Sequence, residues 1–327
     1  MSSSCLASST THSFRTQLLF LHSDKFIPPS RFYRSGNKCQ VSRRGFALRG
    51  IVATGVSAME SSLATNPVQG VERLPFKPEG YNYWTWRGHR IHYVEQGEGP
   101  PIVLIHGFGA SAFHWRYNIP ELSKRYKVYA LDLLGFGWSE KAIIEYDAMV
   151  WRDQVVDFLK EIVKEPAVVV GNSLGGFTAL AAAASLPEKA KQPARIVSVL
   201  KTVYINSSNV DDYLVESITQ PASDPKAGEV YYRLMTQFMS NQKRYTLDSL
   251  LSKLSCPLLL IWGDLDPWVG PTKAMKIKEF YPNTTVVNLQ AGHCPHDEVP
   301  ELVNKAFLDW LSTLKLDASL PETVNVS

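Results

Sequence analysis

Apolar positions in this chain are grouped into short unbroken runs that alternate with segments of helical periodicity. Each run is four to six residues long, which predicts a strand buried on both faces of a sheet. The runs occupy residues 101–105, 128–131, 167–170, 257–262 and 285–289. Buried strands that alternate with helices predict an α/β fold with a mostly parallel central sheet flanked by helices.

The segments on either side of these runs predict a hairpin and two amphipathic helices. Two β-rich arms, residues 83–86 and 90–94, flank a glycine-containing turn and predict an antiparallel hairpin. One helix ends before Pro166, and its apolar face carries Val155, Leu159, Ile162 and Val163. The last helix has apolar residues at the spacing i, i+3, i+4, i+7, i+8 and i+11. These residues are Val303, Ala306, Phe307, Trp310, Leu311 and Leu314.

The first 64 residues differ in composition from the rest. Residues 1–50 contain ten serines and six arginines, and Asp24 is the only acidic residue before Glu60. A leader rich in Ser and Arg and poor in acid is typical of a plastid or mitochondrial transit peptide. We therefore expect residues 1–64 to be a disordered transit peptide outside the fold.

A second targeting signal is a competing interpretation of the same leader. Arg43 and Arg44 precede a weakly apolar segment, as in a twin-arginine export signal, which would make the leader bipartite and direct the protein to the thylakoid lumen. Arg49 interrupts that apolar segment. We therefore expect a chloroplast protein of the stroma rather than of the lumen.

Charge and cysteine usage exclude several kinds of partner. The chain carries a formal net charge of +3, and residues 1–64 contain eight Lys/Arg and two Asp/Glu, so the remainder carries −3. The basic balance therefore belongs to the leader, and we expect no nucleic-acid partner. No apolar run reaches the length of a membrane span, so only peripheral contact with a thylakoid surface is left open. Cys256 and Cys294 lack the spacing of a metal site or a disulfide framework, and we expect neither metal nor cofactor.

The candidate nucleophile lies directly after the third apolar run. Residues 171–176 have the sequence Gly-Asn-Ser-Leu-Gly-Gly and precede a run of helix formers. A G-x-S-x-G sequence between a buried strand and a helix is typical of a nucleophile elbow, in which a serine sits on a sharp, strained turn. Ser173 is therefore the predicted nucleophile. The alternative is a glycine-rich turn that only packs tightly.

The residues that would assist Ser173 follow the other strands. Only His293 and His296 follow the serine among the histidines; His293 lies just past a strand, whereas His296 is interpreted as a solvated or packing residue. The acid is Asp264 or Asp266, and we favour Asp266 because it lies deeper in its loop, where Asp264 would cap the turn. In a triad the histidine takes the serine proton and the acid orients the imidazole.

Backbone N–H groups are expected to complete this site. Phe108 lies in the loop after the first apolar run, and Leu174 opens the helix that follows Ser173. Their N–H groups would hold the oxyanion that forms when an ester carbonyl is attacked. On its own, the loop at Phe108 could be an ordinary turn at a strand end.

Taken together, these motifs resemble the plant plastid branch of the α/β-hydrolase superfamily, in the neighbourhood of pheophytinases and chlorophyll dephytylases. The matching segments are residues 104–109, 132–137, 171–176, 262–266 and 291–293. The resemblance implies an α/β-hydrolase fold with a reduced helical cap. It also implies that the final acid of the W-G-x-x-D motif, Asp266, belongs to the triad. Epoxide hydrolase and dehalogenase relatives need an aspartate where Ser173 stands, so their chemistry is not expected.

The chain departs from this family after the nucleophile's helix. Members usually continue into another apolar strand and a helical cap, whereas here residues 187–193 lead directly to the β-branched segment 196–205. Either this segment replaces the missing strand, or the sheet lacks a member. The remaining cap carries apolar residues, of which most are expected to pack in the core and some to line a substrate pocket. They are Tyr231, Tyr232, Leu234, Met235, Phe238 and Met239.

These observations give a domain plan and two candidate functions. Residues 70–190 and 256–316 are expected to form the hydrolase core, residues 191–255 a cap remnant or substitute strand, and residues 317–327 a tail. The expected activity is that of a serine hydrolase acting on a small apolar ester, such as the phytyl ester of pheophytin or chlorophyll, or a lipid-like ester. The alternative is a catalytically weak relative that binds a small apolar ligand, or an incompletely folded isoform.

Overall fold

The computed structural model describes residues 70–185, 195–199, 209–241, 246–267 and 269–314, with backbone alone for residues 195–199 and 238–241. The predicted transit peptide, the twin-arginine pair and the predicted tail at residues 317–327 lie outside the described residues. Within them, eight strands form one sheet. They are β1 (Asn82–Trp86), β2 (His89–Gln96), β3 (Pro101–Ile105), β4 (Lys127–Leu131), β5 (Val168–Asn172), β6 (Arg195–Val199), β7 (Leu258–Gly263) and β8 (Thr284–Leu289).

The sheet is mostly parallel, as predicted. Its strand order is β1-β2-β4-β3-β5-β6-β7-β8. Only the β1–β2 and β2–β4 pairs are antiparallel, and the remaining neighbours run in the same direction. The predicted hairpin is the β1–β2 pair, with Trp84 opposite Ile91. The fold class expected from the sequence is therefore confirmed.

Helices cover both faces of this sheet. They are α1 (Ile119–Leu122), α2 (Ala148–Phe158), α3 (Leu174–Ser185), α4 (Asp212–Ala222), α5 (Ala227–Asn241), α6 (Leu247–Leu251), α7 (Thr272–Phe280), α8 (Pro295–Glu298) and α9 (Pro300–Thr313). The predicted helix before Pro166 is α2, which continues as a π-helical turn over Leu159–Val163. The predicted last helix is α9, and Phe307 and Trp310 on its apolar face are buried.

Alternate residues of the central strands supply two separate cores. In β3, Val103 and Ile105 belong to one apolar cluster, whereas Ile102 and Leu104 belong to the other. This division follows from the two-residue side-chain period of a strand. The last apolar run differs from the expectation of a strand buried on both faces. It forms β8 at the end of the sheet, where several of its side chains are only partly buried.

The shortened middle of the chain does supply a strand. β6 lies between β5 and β7, with Val197 opposite both Val170 and Leu259. A sheet that lacks a member between the nucleophile's strand and the acid's strand is therefore excluded. The segment named from sequence, residues 196–205, contains most of this strand, and its residues 200–205 lie outside the described residues.

A proline in β6 tests whether this strand completes the sheet. Proline lacks an N–H and leaves a carbonyl of the neighbouring strand without its donor, so Val197→Pro should lower the free energy of unfolding by about 1–3 kcal/mol more than Val197→Ala does. Val197→Ala keeps the N–H and serves as the control, with a smaller expected loss. Urea unfolding followed by circular dichroism measures both. An unfolding midpoint of Val197→Pro equal to that of Val197→Ala would contradict the placement of β6.

Candidate active site

Ser173 occupies the sharp turn between β5 and α3. Its backbone φ is 51°, a left-handed conformation that residues other than glycine seldom adopt and that concentrates at functional sites. β5 ends at Asn172 and α3 begins at Leu174, so Ser173 is the single residue between strand and helix. The strained turn that the sequence motif predicts is therefore present.

Two glycines make this turn possible because other backbone lies against them. A Cβ atom on Gly171 would collide with the backbone of Gly175 and Gly176. A Cβ atom on Gly175 would collide with the carbonyl oxygen of Ile105 at the end of β3. A side chain at Gly175 would therefore push the start of α3 away from β3, and a side chain at Gly171 would force α3 away from the end of β5.

The loop after β3 passes beside the nucleophile. A Cβ atom on Gly107 would lie 2.8 Å from Asn172 Oδ1 and 3.4 Å from Ser173 Cβ. Phe108, the first candidate oxyanion-hole residue, follows directly. Leu174, the second, is the first residue of α3, where backbone N–H groups have no acceptor within the helix. The structure thus brings the loop that carries Phe108 next to Ser173.

A buried histidine holds this loop in place. His106 Nδ1 donates to the carbonyl oxygen of Gly107 at 2.7 Å, and Nε2 accepts from the N–H of Leu133 at 3.0 Å. Burial lowers the pKa of His106, which keeps the imidazole neutral with one donor and one acceptor nitrogen. The sequence motifs give His106 no role, although its position directly after β3 places it among the functional groups at the strand ends.

His293 and Asp266 meet at the ends of β8 and β7. His293 Nδ1 lies 3.3 Å from Asp266 Oδ2, and the carboxylate is buried. The other oxygen of Asp266 accepts from the N–H of Val269 at 2.9 Å. Nδ1 of His293 therefore donates to the carboxylate, which leaves Nε2 as the acceptor nitrogen.

The loop that carries His293 is also tied to the nucleophile's strand. Asn172 Nδ2 donates to the carbonyl oxygen of His293 at 3.1 Å. Because Asn172 directly precedes Ser173, this bond joins the elbow to the histidine loop. The three predicted triad residues are thus brought to one edge of the sheet, as expected for the carboxyl ends of parallel strands.

Asp264 and His296, the other candidates for the acid and the base, have different partners from Asp266 and His293. Asp264 Oδ2 accepts from Gln290 Nε2 at 3.1 Å, and its N–H donates to the carbonyl oxygen of Leu289. His296 is fully buried, with its ring centroid 4.5 Å from that of His114 and 4.3 Å from that of Trp115. A solvated position for His296 is wrong, whereas the packing interpretation agrees with its burial.

Aromatic side chains connect the candidate oxyanion loop to the cap. The Phe108 ring centroid lies 5.3 Å from that of Phe136 and 5.6 Å from that of Tyr231 on α5. On α5, Val230 and Leu234 are buried, whereas Tyr231 is 52% exposed and Tyr232 66% exposed. Most cap residues named from sequence were expected to pack in the core, but of those described only Leu234 does. Met235 is also exposed, and the side chains of Phe238 and Met239 are not described.

The described residues contain neither a candidate membrane span nor a candidate metal site. No helix there combines the length and apolarity needed to cross a membrane. No group of three or more His, Cys, Asp or Glu side chains in the same part of the chain is arranged to hold a metal ion.

Comparison with known proteins defines the class of this protein. A sequence model of the alpha/beta hydrolase family matches residues 102–306. This span includes every strand of the sheet except the hairpin and the first residue of β3, and it contains Ser173, Asp266 and His293. The chain belongs to the alpha/beta hydrolase family.

Individual relatives are distant. The chloroplastic pheophytinase of Arabidopsis thaliana is 26% identical over 318 residues, which cover 69% of this chain and 65% of that protein. The chain thus spans less than two thirds of the length of this relative. The uncharacterized hydrolase YugF of Bacillus subtilis strain 168 is 29% identical over 257 residues, which cover 67% of this chain and 92% of that protein.

A solved structure shows the same fold. The serine hydrolase CarC, involved in carbazole degradation, superimposes with a TM-score of 0.59 and 26% sequence identity. The superposition covers 71% of this chain and 98% of that one. The superposition shows that this chain and CarC share one fold.

Proposed function

We propose that this protein is a serine hydrolase that cleaves a carboxylic ester through Ser173, His293 and Asp266. The observation that carries the proposal is the His293–Asp266 pair, 3.3 Å apart, in a loop bonded to the strained turn of Ser173. Strain of this kind, next to an oriented histidine, is typical of a nucleophile whose hydroxyl must stand exposed above the sheet.

The chemistry would follow from the arrangement of hydrogen-bonding groups. His293 Nε2 takes the proton of Ser173 Oγ as that oxygen attacks the ester carbonyl carbon, and Asp266 stabilises the resulting imidazolium. The N–H groups of Leu174 and Phe108 donate to the oxyanion. As the tetrahedral intermediate collapses, the C–O bond to the alcohol breaks and the alcohol leaves with the proton from His293. Water then hydrolyses the acyl-serine by the same steps.

An apolar ester is the proposed substrate class. The aromatic rings of Phe108, Phe136 and Tyr231 lie together beside the candidate oxyanion loop, where the acyl or alcohol group of an ester would be bound. The relation to a chloroplastic pheophytinase supports a phytyl ester of pheophytin or chlorophyll, or a lipid-like ester of the plastid. No cofactor or metal takes part in this proposal.

The competing idea of an incompletely folded isoform rested on a missing strand. β6 occupies that position between β5 and β7, which removes the main reason for this alternative. A silent relative that only binds an apolar ligand would share the fold and the aromatic residues. It would differ in having no reactive serine, so that turnover separates it from the proposed enzyme.

Exchanging each of the two loop carboxylates tests the proposed acid. Asp266→Asn removes the negative charge that faces His293 and should lower kcat for p-nitrophenyl butyrate by about 10⁴-fold. Asp264→Asn is the matched control, because Asp264 bonds Gln290 instead, and its kcat should stay within about threefold of the wild type. Steady-state kinetics of both variants provides the measurement. A larger loss in Asp264→Asn would contradict the assignment.

Two adjacent tyrosines test whether the cap contributes to the substrate pocket. Tyr231→Ala removes the ring beside Phe108 and should lower kcat/KM for p-nitrophenyl palmitate by about tenfold through lost apolar contact. The same variant should leave kcat/KM for p-nitrophenyl acetate nearly unchanged. Tyr232→Ala removes an equally large and more exposed ring and is the control. Equal losses in the two variants on the long-chain ester would show that Tyr231 has no particular role.

We further propose the domain plan and location expected from the sequence. Residues 1–64 act as a chloroplast transit peptide, residues 70–190 and 256–316 form the core, and residues 191–255 supply β6 and the reduced cap, with a tail at 317–327. The chloroplastic relative supports a plastid location, with the stroma favoured and peripheral thylakoid contact open.

A fluorescent fusion tests this location. A reporter carrying residues 1–70 should enter chloroplasts, because the leader is rich in Ser and Arg and poor in acid. Replacing Arg43 and Arg44 by Lys should leave a stromal protein where it is, whereas a lumenal protein would be held back in the stroma. Cytosolic retention of the unmodified fusion would contradict the transit-peptide proposal.

A further inference from the structure

A single buried guanidinium connects three segments around the proposed active site. Arg116 is 1% exposed, and its Nε and Nη2 donate to the two carboxylate oxygens of Asp297 at 2.8 and 3.1 Å. Its Nη1 donates to Asp211 Oδ1 at 2.5 Å. Its Nη2 also donates to the carbonyl oxygen of Asn209 at 3.0 Å. All three guanidinium nitrogens donate in the plane of the group, an arrangement that a lysine ammonium could not reproduce.

Each partner of Arg116 belongs to a different part of the site. Arg116 itself follows a 3₁₀ turn over Ala112–Trp115, a few residues after the loop that carries Phe108. Asp297 lies in α8, a few residues after His293. Asp211 is the N-cap of the cap helix α4, where Oδ1 also accepts from the N–H of Leu214. The guanidinium therefore joins the oxyanion side, the histidine side and the cap.

The end of α8 in turn fixes the backbone on both sides of His293. Glu298 Oε2 accepts from the N–H of Gly292 at 3.0 Å, and the N–H of Glu298 donates to the carbonyl oxygen of Cys294 at 2.8 Å. Asn209 Nδ2 donates to the carbonyl oxygens of Asp297 and Glu298 at 3.0 and 3.1 Å. A displacement of α8 would therefore move the backbone that carries the His293 ring.

The guanidinium of Arg116 keeps its positive charge despite burial. Burial alone would lower the pKa of Arg116, but the attraction and hydrogen bonds of Asp297 and Asp211 outweigh it and the pKa is raised. A buried cation between two carboxylates is a weak way to add stability compared with apolar packing. Its main effect is on geometry, because a guanidinium that forms two bonds to one carboxylate allows only a narrow range of positions for that carboxylate.

We propose that Arg116 is a positioning residue that couples the placement of the cap to the placement of His293. The bond to Asp211 makes the position of the guanidinium depend on where α4 begins. The bonds to Asp297 hold α8, and therefore the loop that carries His293. The inference rests on the proposed function, since it assigns His293 as the base. It implies that a change on the cap side slows turnover even of a substrate too small to reach the cap.

Asp211→Asn tests this coupling in the full chain. Asparagine is as good an N-cap as aspartate, so α4 keeps its cap while the ion pairs of Asp211 with Arg116 and with Arg73 are lost. Arg116→Lys, described below, leaves the Arg73 pair in place and so separates the two contributions. We expect kcat for p-nitrophenyl acetate to fall about tenfold with KM nearly unchanged, since small displacements of a catalytic group cost turnover rather than binding. Asp212→Asn removes the same charge one residue along the same helix, from an exposed position, and should behave as the wild type.

Arg116→Lys provides the second variant, with fluorophosphonate labelling as the second readout. It keeps the charge but loses the fork, and its labelling rate should fall about 10- to 100-fold. Wild-type kcat and labelling in both variants, with at most a lower melting temperature, would overturn the inference and leave Arg116 a stabilising residue. Loss confined to KM would also overturn it. A wild-type protein that folds but neither labels nor hydrolyses would instead refute the proposed function, and the inference with it.

Discussion

The backbone hydrogen bonds of β6 hold the nucleophile's strand and the acid's strand at a fixed separation. β6 pairs with β5, which ends at the nucleophile's turn, and with β7, which leads to Asp266. Because neighbouring strands lie about 4.8 Å apart, one intervening strand sets a separation of about 10 Å between the other two. That gap is then crossed by the histidine loop, which reaches Asp266 through the ring and Asn172 through the backbone.

Polar contacts then fix the loops that carry Phe108, Ser173 and His293 to their neighbours. His106 holds the loop before Phe108, Asn172 joins the elbow to the histidine loop, and Glu298 holds the backbone around His293. Glycine supplies the close approach that these bonds require: a Cβ atom on Gly263 would collide with the carbonyl oxygens just before His293. Such support limits the movement of catalytic groups, which is what an oxyanion site and an oriented base demand.

The sequence predicted the sheet well and the supporting contacts poorly, for physical reasons. Unbroken apolar runs gave β3 and β7 to within a residue, because burial on both faces excludes polar residues. The role of β6 stayed open because five residues after Pro193 carry too little periodicity to distinguish a strand from a cap segment. Arg116 and Asp297 are 181 positions apart, and no local pattern reveals such a pair. His296 was ambiguous because histidine is common both in cores and at surfaces.

Mass spectrometry of the full chain after reaction with a fluorophosphonate tests whether Ser173 is the nucleophile. We expect one covalent adduct, located on the peptide that contains Ser173, and its loss in Ser173→Ala. We also expect His293→Ala to react far more slowly, since the serine would lack its base. An adduct of equal yield in Ser173→Ala, or none in a wild-type chain that unfolds cooperatively, would contradict the assignment of Ser173.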